Sequence, residues 1–206
     1  MIKLAWRGIH ENFSRSLFYW ITFVLTTMFI FIFFSIIITI CIKKGKNMKK
    51  YLNRLFIDGL SGMSYGLFST LIIGTIICQI GKLVGGNVVG TYLNAMGSVA
   101  KTLTGAGIGV GVACKLKSSP LVAVAAGVTG MIGAFPNLAN EAFKVGAPGE
   151  PLGAFIAAYI AIEIGALVSG KTKVDIIVTP VCCILAGAVA GYFVGPYIST
   201  AMKWLG

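Results

Sequence analysis

Residues 152–169 (LGAFIAAYIAIEIGALVS) are apolar or small throughout, with one acid, Glu163, among them. The run is long enough to cross a bilayer, which takes about 20 apolar residues as a helix. An ionisable group inside such a segment is expensive, so it turns toward a polar cavity or a partner rather than toward lipid. Tyr159 lies one helical turn before Glu163 and shares its face. Lys171 and Lys173 follow the run and mark that end as cytoplasmic by the excess of positive charge. Asp175 and Pro180 then open the next helix, with Asp175 placed to cap it.

The rest of the chain repeats the same constraint. Apolar residues make up 57% of 206 residues, 27 are glycine, and only 11% are charged. That composition describes an integral membrane protein. Only helices and closed barrels satisfy every backbone group in lipid, so the fold expected is all-α, a polytopic transmembrane bundle of about six spans. Those spans are 17–42, 59–81, 102–114, 119–135, 152–169 and 176–200. Gly187, Gly191 and Gly195 in the last of them form a repeated GxxxG face for close helix packing.

Charge placement decides what the net charge of +11 means. Lys43, Lys44, Lys46, Lys49, Lys50 and Arg54 crowd beside an apolar run, with Tyr51 the single aromatic among them. The cluster reads as a topology anchor on anionic lipid, and no nucleic-acid partner is expected. Residues 48–58 (MKKYLNRLFID) alternate basic and apolar side chains at helical spacing, as an interfacial helix does. With 43–58, 115–117 and 171–173 on the cytoplasmic side, loops 83–95 and 136–151 face outward. Residues 85–101 are only weakly hydrophobic and read as a re-entrant or interfacial piece.

Composition breaks at KKGKN before Met48, since the first span is rich in Phe, Ile and Thr and the later spans in Gly and Ala. The domains expected are therefore 1–47, a transmembrane helix with a basic linker, and 48–206. Back-translated, residues 44–48 resemble a bacterial ribosome-binding site before a start codon. Two readings of 1–47 stay open, an extension outside the functional protein or a genuine extra helix.

Cys41, Cys78, Cys114, Cys182 and Cys183 form no CxxC pair, and His10 is the sole histidine. Structural thiols fit better than a metal centre or a disulfide framework, and no cofactor is expected. The nucleotide-binding and hydrolase motifs of soluble enzymes are absent from the sequence. Candidate substrate ligands are Glu163 and Tyr159 in the bundle, and Glu150, Asn137, Asn140 and Glu141 at an outer mouth, since carboxylate and amide groups bind hydroxyls. Against these stand a carboxylate paired with a lysine for packing and a solvated loop. Lys101 reads either as a partner of Glu163 or as an interface residue. Gly105, Gly107, Gly109 and Gly111 read either as a locally unwound ligand site or as plain close packing.

Two resemblances add to these readings. MIKLAWRGIHENFSRSLFYWITFVL is similar to the start of FtsX-like ABC-transporter permeases. From Met48 onward, MKKYLNRLFIDGLSGMSYGLFSTLIIGTI, LTGAGIGVGVA and IEIGALVSGKTKVDIIVTP resemble bacterial phosphotransferase-system enzyme IIC proteins. That resemblance implies a sugar permease of the bacterial cytoplasmic membrane, served by IIA and IIB partners. IIB would donate the phosphoryl group, so the chain is at most the membrane component of a sugar phosphotransferase, with no catalytic residue of its own. Glu150-Pro151 looks like the family's G-x-x-E-P, with the glycine (Gly146) one position off, which implies a sugar-binding role for Glu150. Better-known members carry more spans and a loop histidine that is missing here. A homo-oligomer is expected, so that two short bundles build one pathway. The alternative is a non-catalytic membrane subunit or sensor packed against a larger transporter.

Overall fold

The computed structural model describes residues 53–135, 146–147, 149–171 and 173–205. The chain divides into two compact units, Met1–Lys49 and Lys50–Gly206, and the description concerns the second. The expected span 17–42 and the junction before Met48 lie outside the described residues. Every regular element described is helical: α1 Arg54–Val84, α2 Val88–Thr102, α3 Thr104–Lys115, α4 Pro120–Ala134, α5 Pro151–Val168 and α6 Asp175–Leu205. Among the described residues, three helices are long and apolar enough to cross a membrane, namely α1, α5 and the Asp175–Ile198 part of α6, and α4 is a shorter apolar helix.

Backbone-to-backbone crossings assemble the bundle. Lipid tails are as apolar as the side chains, so helices associate by close van der Waals approach, which small residues permit. A Cβ on Gly66 of α1 would sit 2.5 Å from the Gly107 carbonyl oxygen of α3, and one on Gly62 would sit 2.6 Å from Val112 Cα. On the far side of α3, a Cβ on Gly105 would sit 2.7 Å from the Gly130 carbonyl oxygen of α4, and Gly109 abuts Ala126. Neighbours two positions apart lie about 200° apart around a helix of 3.6 residues per turn. The four alternating glycines are thus two GxxxG faces on opposite sides of one continuous helix, and the packing reading holds.

The pattern continues through the bundle. Gly133 of α4 meets Gly153 of α5, Gly165 of α5 meets Cys183 of α6, and Gly187 of α6 meets Thr129 of α4. These crossings set α3 and α5 antiparallel to α1, α4 and α6. The core between them is built of small and branched side chains, including Ile108, Val112, Ala126, Ala161, Ile162 and Cys183, all fully enclosed.

Helix α1 is peripheral, with 17% of its apolar window buried against 50% for α5. Residues 48–52 of the expected interfacial helix lie outside the described residues, while Asn53 is already helical and residues 54–58 run into the membrane-length helix without a break. Its lower half crosses α3 and its upper half crosses α2 through Gly74 and Gly97. The change of partner falls where both sides of the hairpin are irregular. In α1, residues Phe68–Ile72 are π-helical. Ser69 Oγ donates to the carbonyls of Tyr65 and Gly66, and Thr70 Oγ1 donates to Gly66; such back-bonding competes for carbonyls and distorts helices. Opposite, Leu103 (φ −78°, ψ 10°) interrupts α2 and α3. The weakly hydrophobic stretch 85–101 is therefore mostly α2, a regular helix laid along α1.

The lysine-bearing turns also converge. Lys117 adopts a left-handed conformation (φ 55°) after α3, and its N–H donates to the Cys114 carbonyl, closing the helix end. Ser119 Oγ and Ser169 Oγ lie 3.1 Å apart, which ties the α3–α4 turn to the one after α5. In the first turn of α6 the N–H groups of Ile177 and Val178 donate to the Val174 carbonyl, and the Asp175 carboxylate accepts from the buried Thr179 hydroxyl.

A bulky residue at a crossing forces the backbones apart. Gly109→Val is expected to cost about 1–3 kcal/mol, seen as a lower unfolding midpoint in detergent. Gly86→Ala, where a Cβ meets nothing within 4 Å, is expected to leave the midpoint unchanged.

Candidate functional site

Glu163 sits on α5 five residues before the helix ends at Val168, about 7 Å from the lysine-bearing end at 1.5 Å per residue. It therefore occupies the half of the span nearer the lysines. Its partner is Arg54 in the first turn of α1, with Nη1 3.5 Å from Oε1. The carboxylate is the enclosed member, its side chain 12% exposed against 37% for Arg54. One turn along α5, the Tyr159 hydroxyl is closed off from solvent on the face it shares with Glu163. Phe155 continues the row, its ring 6.1 Å from that of Tyr159 and against Gly59 of α1.

The seam between α1 and α5 differs from the glycine crossings. The two backbones make almost no close contact, and side chains bridge the gap: Arg54 to Glu163, and Phe155 to Gly59. This seam gathers a cation, an anion, a phenol and an aromatic face in a bundle whose other helix contacts are mainly apolar. A carboxylate and a guanidinium offer charge-assisted acceptors and donors. That set suits a neutral solute with several hydroxyls. No group of three or more His, Cys, Asp or Glu that could hold a metal occurs among the described residues.

The other sequence candidates separate from this seam. Glu150 occupies the N-cap position at the opposite end of α5, about 20 Å from Glu163 along the helix axis. There its N–H donates to the Ala134 carbonyl at 2.8 Å, and its carbonyl accepts from Ala154. The preceding Gly149 has φ +69° and lies so close to Ala134 that a Cβ would sit 2.7 Å from the carbonyl oxygen. Asn137, Asn140 and Glu141 lie outside the described residues. Lys101 lies in the last turn of α2, with its aliphatic stem against Gly74. A separate groove of about 510 Å³ between α3 and α4 is lined by residues such as Val110, Val124, Val128 and Met131. Its walls are almost wholly apolar, which suits a lipid chain rather than a polar solute.

Arg54 is the residue that sequence reasoning missed. The visible signal was a guanidinium at the first turn of an apolar helix, where a basic residue reads as an interfacial anchor.

Removing the guanidinium from a partly enclosed carboxylate is expected to destabilise the protein by about 1–3 kcal/mol, below the cost for a sealed pair because Arg54 is partly hydrated. Thermal unfolding of Arg54→Ala, Glu163→Gln and the double variant checks this, the double variant being expected to lose less than the sum.

A family model described as phosphotransferase system, EIIC, matches residues 57–206. No curated protein and no solved structure matches the chain. The family match takes in α2 to α6 whole and α1 from Ile57 onward, and the chain belongs to the phosphotransferase-system EIIC family.

Proposed function

We propose that this membrane protein is a permease of the IIC type that moves a sugar or a similar small hydrophilic solute across the bacterial cytoplasmic membrane. The observation that carries the reading is the polar seam of Arg54, Glu163 and Tyr159 within an otherwise apolar bundle. Charged side chains at that depth are costly and are retained where they serve a pathway. Glu163 accepts hydrogen bonds from solute hydroxyls, and Tyr159 adds a donor and an aromatic edge. The lysine-bearing turns face the cytoplasm, so Glu163 lies nearer the compartment where IIA and IIB would work. Glu150, with Asn137, Asn140 and Glu141, would serve the outer mouth. A homo-oligomer supplies further walls for the pathway, and the chain contributes no catalytic side chain to phosphoryl transfer.

A second reading has its own support. The hairpin of α1 and α2 exposes Ile72, Ile76, Ile80, Leu83, Val89 and Tyr92, a surface suited to a larger membrane partner as well as to lipid. In that reading the chain is a non-catalytic subunit or sensor.

Uptake of labelled hexoses, hexitols and N-acetylhexosamines into proteoliposomes separates the two, with and without IIA and IIB proteins. The permease reading expects uptake of at least one solute and a loss of about tenfold or more in Glu163→Gln, since a site built on a charged acceptor loses about 1.5–3 kcal/mol with it. Absence of uptake for every solute under both conditions, from correctly folded protein, favours the subunit.

A further inference from the structure

We propose that Arg54 is the cytoplasmic latch of the Glu163 site: its guanidinium closes the α1–α5 seam, and the pair must part for solute to pass between Glu163 and the cytoplasm. This rests on the permease reading, and it concerns a residue that the family match, which begins at residue 57, does not reach.

Three features of the seam point to this role. The first is the asymmetry of exposure. Arg54 is about a third exposed and Glu163 little exposed, so the guanidinium can withdraw into water at small cost whereas the carboxylate stays enclosed. The moving partner is therefore the arginine, and hydroxyl donors of a solute take its place on the carboxylate. The second is the way the helices meet. Backbone crossings fix α1 to α3 through Gly62 and Gly66, but nothing comparable fixes α1 to α5. The seam can part at its side chains without opening any glycine crossing. The third is local geometry. Arg54 begins a π-helical stretch, Arg54–Gly59, a form of helix that is rare and frequent at functional sites. It carries Arg54 and Gly59, which meet Glu163 and the Phe155 ring.

Accessibility of the seam tests the latch without reference to any particular solute. Tyr159→Cys is placed in the full chain in oriented vesicles and labelled from the cytoplasmic side with a membrane-impermeant maleimide. The parent chain sets the background from native thiols, and exposed Cys114 is the internal standard for folding and orientation. Adding Arg54→Ala is expected to raise the labelling rate of the new cysteine about tenfold, the effect of losing one charge-assisted contact. Arg54→Lys, which keeps the charge and loses the fork, is expected to fall between. Because Arg54→Ala is able to disturb folding, Arg54→Gln with Glu163→Gln is run beside it, and the latch expects that neutral pair to label faster as well. Unchanged labelling in both variants, with Cys114 reacting normally, overturns the latch. Absence of uptake for every solute from the folded parent chain overturns the permease reading instead, and uptake that survives Glu163→Gln removes Glu163 as its site, whatever the labelling shows.

Discussion

Close contact between helix backbones is the constraint on which this structure depends. In lipid there is little hydrophobic gain when two apolar helices meet, so association relies on packing and on the shape of small residues. The chain answers with glycine against glycine: Gly66 on Gly107, Gly105 on Gly130, Gly133 on Gly153. The consequence is a compact scaffold of α3, α4, α5 and α6 whose fully enclosed side chains are small or branched. It also fixes directions: antiparallel neighbours pair their residues in reverse order, and the parallel α4 and α6 pair Thr129 with Gly187 and Gly133 with Gly191 in the same order.

Against that scaffold, the α1–α5 seam stands out for what it lacks. There the contact is made by side chains, and these are the polar and aromatic ones. Placing a carboxylate in an apolar helix is unfavourable unless a cation and further donors answer it, and Arg54 answers it from the first turn of α1. The seam is thus held by an interaction that depends on water, salt and solute, while the crossings around it do not. A transport pathway needs such a division between rigid walls and a contact that exchanges partners.

Much of the bundle was legible in the sequence because membrane length and small-residue spacing are local properties. The runs expected at 119–135, 152–169 and 176–200 became α4, α5 and α6, which begin within one residue of those bounds at Pro120, Pro151 and Asp175. Glu163 and Tyr159 were legible as one face because four residues make about one turn. Three features were not. The helix α2 is weakly apolar, and its place along α1 comes from Gly97 meeting Gly74, a tertiary contact with no local sign. Asp175 has the position of a cap, but the Thr179 hydroxyl one turn on takes its carboxylate. Arg54 reads as the last member of a basic anchor, and its pairing with Glu163 joins segments remote in sequence, a contact that periodicity cannot encode. Glu150 was read at an outer mouth, apart from the bundle acid, and the length of α5 lies between the two.

The central claim is that α1 and α5 are joined by a guanidinium–carboxylate contact inside an apolar bundle. Solid-state NMR on the protein in lipid bilayers measures it most directly, as dipolar coupling between 15N-labelled arginine side chains and 13C-labelled glutamate carboxylates. Subtraction of the Arg54→Lys spectrum assigns the signal. The account expects a coupling that corresponds to the 3.5 Å N···O contact and that disappears in the subtracted variant. A spectrum with no such coupling, from protein that retains its helices, would contradict it.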